Sequence, residues 1–175
     1  MGRVQILFIA LSIALAGAIA TPPVLHLQRL SHFESVQKLV AHHGCSLTFD
    51  LQGDYSLQLH GAAVDDTTIS TLVPHLATLP CGFTFLGPGE PRGLYVSLQD
   101  ATITDSGMKL LCTLPVDLIS MQNVPNLSDR SIDALSALPN PCAMIVGDMP
   151  FSLEGLRRLR ETKPNAYFGW TGNDG

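Results

Sequence analysis

The stretch VSLQDATITDSGMKLL, residues 96–111, decides the architecture. It opens apolar–polar–apolar at Val96, Ser97 and Leu98, the period of two that marks a short strand with one buried face. One apolar residue, Ile103, then precedes Thr104, whose hydroxyl can accept from the free N–H groups at a helix start. Asp105 follows and suits the positive end of the helix dipole. Met108 and Leu111, three apart, give the ensuing helix an apolar face.

The same register recurs outward from this unit, in LQLHGAAVDDTTISTL (57–72), ISMQNVPNLSDRSIDAL (119–135) and MIVGDMPFSLEGLRRL (144–159). The strand pairs are Leu57/Leu59, Ile119/Met121 and Met144/Val146. The corner residues are Val64, Leu127 and Phe151, the expected caps Asp65, Ser128 and Ser152, and further first-turn acids Asp66 and Asp129. The helices are expected to bury Ile69/Leu72, Ile132/Leu135 and Leu156/Leu159. Leu-Pro closes three helices, at Leu79-Pro80, Leu114-Pro115 and Leu138-Pro139, because Pro discourages continuation. Ile103, Leu127 and Phe151 are spaced by 24 residues, whereas Val64 to Ile103 is 39, which places an insertion at Phe83–Gly93 (FTFLGPGEPRG). Leu47–Asp54 (LTFDLQGD) precedes the first unit, and the likeness of the segments after Cys45 and Cys81 suggests an early repeat of longer form. One such unit cannot cover its own apolar face, so neighbours must bury each other and the ends need caps. His32–His43, capped by Ser31 and apolar at Phe33, Val36, Leu39 and Val40, is the expected N-terminal helix; Ala166–Trp170 is the expected closing strand.

The segment ATITDSGMKLL (101–111) resembles the leucine-rich-repeat family, in the variant with an xLxLxxTxITDxGLxxL consensus. LRRLRETKPNAYFGW (156–170) is similar to the last helix and closing strand of such arrays. The resemblance covers about residues 55–170 and implies an α/β fold, a right-handed strand–helix solenoid with a parallel sheet on one side. The chain departs from the family in its few repeats, its long early unit and the scarcity of leucine on its strands.

Residues 1–20, MGRVQILFIALSIALAGAIA, read as a signal peptide: Arg3, an uncharged run from Val4 to Ala20, and small residues at Ala18 and Ala20 for the peptidase. Its alternative is an uncleaved anchor spanning residues 4–20, at the short end of what crosses a bilayer. Residues 21–30 are expected to be a linker and 31–175 the repeat domain. The localisation implied is exported or extracytoplasmic, with membrane contact only if the leader is retained. The net charge of −5 argues against a nucleic-acid surface, which needs a basic face. Charged residues are 14% of the chain, below the roughly 25% usual for soluble domains.

The functional expectation is a binding or scaffolding module for another protein, because repeat arrays bind along their inner strand face. The residues placed there are Gln58, Ser97, Ser120 and Ile145, with His60, Gln99 and Gln122 one step beyond and Tyr95 nearby. An envelope component held by the leader is the alternative. An enzyme is disfavoured: Gly-x-Ser-x-Gly and His-Glu-x-x-His are both missing, so no catalytic residue, cofactor or metal is assigned. His42-His43-Gly44-Cys45 holds metal-ligand types, but adjacent histidines diverge and Gly44 reads as an ordinary helix stop. The cysteines read first as free thiols used as small apolar residues; export also permits disulfides, stacking could bring two cysteines close, and Cys45 with Cys81 is the favoured pair, while Cys112 reads as half-buried and inert. Gly87–Gly93 reads as a surface loop and Arg157, Arg158, Arg160 and Lys163 as solvated charge at a helix C-terminus. Asn126-Leu127-Ser128 is a glycosylation sequon whose Ser128 is expected to serve as a helix cap.

Overall fold

A computed structural model describes residues 27–50, 53–79, 93–138 and 143–164, and the backbone of 83–84 and 87–88. The leader, Cys81, Cys142 and the expected closing strand at 166–170 lie outside the described residues. The chain divides into two compact units, Met1–Ser35 and Val36–Gly175.

In the first unit the described residues, 27–35, are helical. The helix thus begins before the expected start, and Ser31 lies inside it rather than capping it. The cause is an apolar spacing of three from Leu30 to Phe33, with no breaker between them to start the helix later. In the second unit residues 36–42 are helical as well (27–42 are labelled α1), with Val36 and Val40 buried and Leu39 half-buried. Gly44, at φ +71°, ends it: the Gly44 N–H donates to Ala41 O and the Cys45 N–H to Val40 O. That is the glycine stop read from sequence, with both orphan carbonyls satisfied.

The second unit alternates strands and helices: β1 (Ser46–Phe49), β2 (Tyr55–His60), α2 (Asp66–Leu76), β3 (Phe83–Thr84), β4 (Gly87–Pro88), β5 (Leu94–Gln99), α3 (Asp105–Leu111), β6 (Val116–Gln122), α4 (Ser131–Ser136), β7 (Ala143–Gly147) and α5 (Leu153–Thr162). Five strands form one open sheet in the order β1-β2-β5-β6-β7. All pairs are parallel except β1 with β2. The segment expected as an early repeat is thus an antiparallel hairpin, its return short enough to need no crossover helix. The insertion contains a two-residue antiparallel pair, β3 with β4.

The register follows the apolar pattern. Leu57, Val96, Ile119 and Met144 are Cα partners across the parallel strands, as are Leu59, Leu98, Met121 and Val146. All eight are buried, as are Val64, Ile103, Leu127 and Phe151 at the corners. Ile69, Leu72, Met108, Leu111, Ile132, Leu135 and Leu159 close the core from the helices; Leu156 is only half-buried. Each such aliphatic side chain contributes roughly 1.5–3 kcal/mol on burial. The alternate strand residues are exposed or half-buried, so among the described residues the helices cover one sheet face. Each strand of the sheet contacts only its neighbours in it, and α2, α3, α4 and α5 contact each other only in chain order.

Every parallel strand ends in a left-handed residue: Gly61, Asp100, Asn123 and Asp148, at φ +96°, +55°, +50° and +46°. Asn and Asp tolerate this region better than other non-glycine residues. The turned ends are linked, with Gly61 N–H donating to Gln99 O, Asp100 N–H to Gln122 O, and Asn123 Nδ2 to Asp100 Oδ1 at 2.6 Å. The chain therefore leaves the sheet the same way in each coil.

Candidate functional site

Polar side chains collect on two surfaces. The first is the line of helix starts. Asp65 caps α2 by accepting from Thr68 N–H at 2.8 Å, Thr104 caps α3 through Ser106 N–H, and Ser152 caps α5 through Gly155 N–H. Ser128 does not cap α4 directly. A single turn, closed by Ser131 N–H to Ser128 O, delays the helix to Ser131, and the Ser128 hydroxyl accepts from Arg130 N–H instead.

The acid after each cap reaches forward to the next coil. Asp66 accepts from the Thr104 N–H at 2.8 Å and from its hydroxyl at 2.5 Å. Asp105 accepts from the Ser128 N–H at 2.8 Å, the Ser128 hydroxyl at 2.6 Å and the Ser131 hydroxyl. Asp129 accepts from the N–H and hydroxyl of Ser152. Sequence reading assigned these acids to the helix dipole; their larger role is as staples between coils, through charge-assisted bonds. Burial raises the Asp105 pKa, but the bonds from Ser128 and Ser131 outweigh it and leave the carboxyl below its ordinary value. Ser152 lowers that of Asp129.

The staples require room. A Cβ on Gly107 would collide with Asp66 and one on Gly155 with Asp129. The equivalent residue in the third coil is Ser131, small and itself bonded to Asp105. Thr/Ser-Asp-x-small is complete at 104–107 and 128–131, the two units that both give and receive a staple. In the last coil the acid's position holds Leu153, 77% exposed, with no further helix start beyond it among the described residues. Other ties join coils, among them Asn126 Nδ2 donating to Thr102 O at 3.0 Å, Thr102 Oγ1 donating to Ala62 O at 3.0 Å, and the buried Lys163 Nζ donating to Leu138 O. Lys163 is therefore not solvated charge as expected, whereas Arg157 is, pairing with Glu154 and Glu161 along its own helix.

The second surface is the uncovered sheet face. Gln58, Ser97, Ser120 and Ile145 are Cα partners in one row, which Ser46 extends onto β1. His60, Gln99 and Gln122 form the next row, and Ser56, Tyr95 and Leu118 the one before. The expected set thus shares one face. Gln58, His60, Tyr95, Gln99, Gln122 and Ile145 are exposed, Ser97 and Ser120 half-buried. Gln58 is bonded by Ser46 at 3.3 Å, and His60 Nε2 lies 3.5 Å from Ser97 Oγ. Among the described residues nothing engages the side chains of Gln99, Ser120 or Gln122. The Tyr95 hydroxyl donates to Asp54 at 3.1 Å, which raises its pKa, with Asp50 and Asp117 adding to the effect, and the adjacent ring atom Cε1 lies where a side chain on Gly93 would sit.

Among the described residues the His60–Ser97 pair has no third group that would orient the imidazole as a base. Cys45 is a buried free thiol facing the His43 carbonyl at 3.5 Å, its pKa raised by burial; Cys81, its expected partner, lies outside the described residues. The rings of His42 and His43 stand edge-on at 83°, and among the described residues no three His, Cys, Asp or Glu side chains could share a metal. The late start of α4 leaves a groove of about 780 Å³ beside α3, lined by Ser106, Lys109, Cys112, Arg130 and Asp133 among others. Cys112 is half-buried there, as read from sequence. No described helix is long and apolar enough to cross a membrane. No family model matches the chain, and no curated protein matches it.

Proposed function

We propose that the chain is a short leucine-rich-repeat-like solenoid, working outside the cytoplasm as a non-catalytic binding module whose ligand lies on the uncovered sheet face. The leucine-rich-repeat reading is supported by the coil register and by contacts that run only between successive coils. The extracytoplasmic reading rests on residues 1–20. One observation carries the choice of surface: the face presents in-register side chains, Gln99, Ser120 and Gln122 among them, that take no part in holding the fold. At the helix starts, by contrast, Asp66, Asp105 and Asp129 with Thr104, Ser128 and Ser152 are engaged in holding successive units together.

Affinity capture with the tagged chain tests this. Binding recovered with the unaltered protein should be lost in the combined Gln58→Ala, Tyr95→Ala and Gln99→Ala variant and survive Lys109→Ala with Arg157→Ala on the helical side. Equal capture by the two variants refutes the choice of face. The mass of the exported protein separates the two fates of the leader, since removal of residues 1–20 excludes an anchored envelope component.

A further inference from the structure

We draw no further inference here: the strongest candidate, the groove beside α3 where Lys109, Cys112, Arg130 and Asp133 meet, mixes charges of both signs around a lone cysteine, and nothing in the structure shows what covers it.

Discussion

The line of helix starts and the outer face of the sheet are both built by repeating one position from coil to coil, yet they use polar side chains in opposite ways. At the helix starts, Asp66, Asp105 and Asp129 each bridge to the hydroxyl and backbone N–H of the next coil's Thr104, Ser128 or Ser152. On the face, Gln99, Ser120 and Gln122 line up just as regularly and bridge to nothing described. Regular stacking alone therefore does not tell a structural ladder from a binding surface. What separates them is whether the repeated group reaches a partner in the adjacent coil.

The comparison is most easily broken at the staples, and the largest effect is expected from Gly107→Val. Its side chain would occupy the space of the Asp66 carboxylate and meet Ile103, detaching Thr104 from the preceding coil. A loss of about 3 kcal/mol is expected, from overpacking together with a broken charge-assisted bond, read as a fall in the urea midpoint at constant m. Unchanged stability would mean that the acid has another place to go and that the small residue is incidental.

Asp105→Ala comes next, at about 2 kcal/mol, because it leaves the Ser128 N–H and two hydroxyls without their acceptor. A cycle pairing it with Ser128→Ala should show strong coupling, and additive losses would contradict a direct staple. The same staple sets a pH response. The Asp105 and Asp129 carboxyls are held below their ordinary value of 3.8 in the folded chain. Their contribution is therefore complete above the unfolded carboxyl pKa and disappears as pH falls through the depressed folded one. Urea midpoints should drop between about pH 5 and pH 2, and drop less in Asp105→Asn, which cannot ionise. Parallel curves for the two proteins would assign the acid sensitivity to other groups.

The strands were legible because their period of two is written in Leu57/Leu59, Val96/Leu98, Ile119/Met121 and Met144/Val146, and that register recurs in the parallel sheet. The members of the outer face were legible for the same reason, since alternate residues must share a side. The staples were not. An acid after a cap satisfies a local rule about its own helix, so nothing local announces a partner in the next coil, up to 38 residues away. The second signal, a small residue at Gly107, Ser131 and Gly155, gains meaning only once an incoming carboxylate is seen above it. Ser128 misled for a related reason: it has the chemistry of a cap but serves the turn before α4 and the Asp105 staple. The antiparallel return of β1 was hidden because apolar alternation carries no strand direction.

The smallest expected effect sharpens the contrast from the other side. Replacing Gln58, Gln99 and Gln122 together by Ala should change stability by no more than about 0.5 kcal/mol per site, the range for surface positions without partners. Gln58 is the one to watch, because Ser46 bonds it across the β1–β2 hairpin at 3.3 Å. If the triple variant melts well below the parent and Gln58→Ala accounts for the deficit, the face is partly a device for holding that hairpin. If Gln99→Ala and Gln122→Ala carry the deficit, those carboxamides stabilise the sheet by a route other than direct bonding, and the distinction between engaged and unengaged ladders fails. A stable triple variant leaves these carboxamides without a part in holding the fold, on strands where β-branched residues would serve the sheet better.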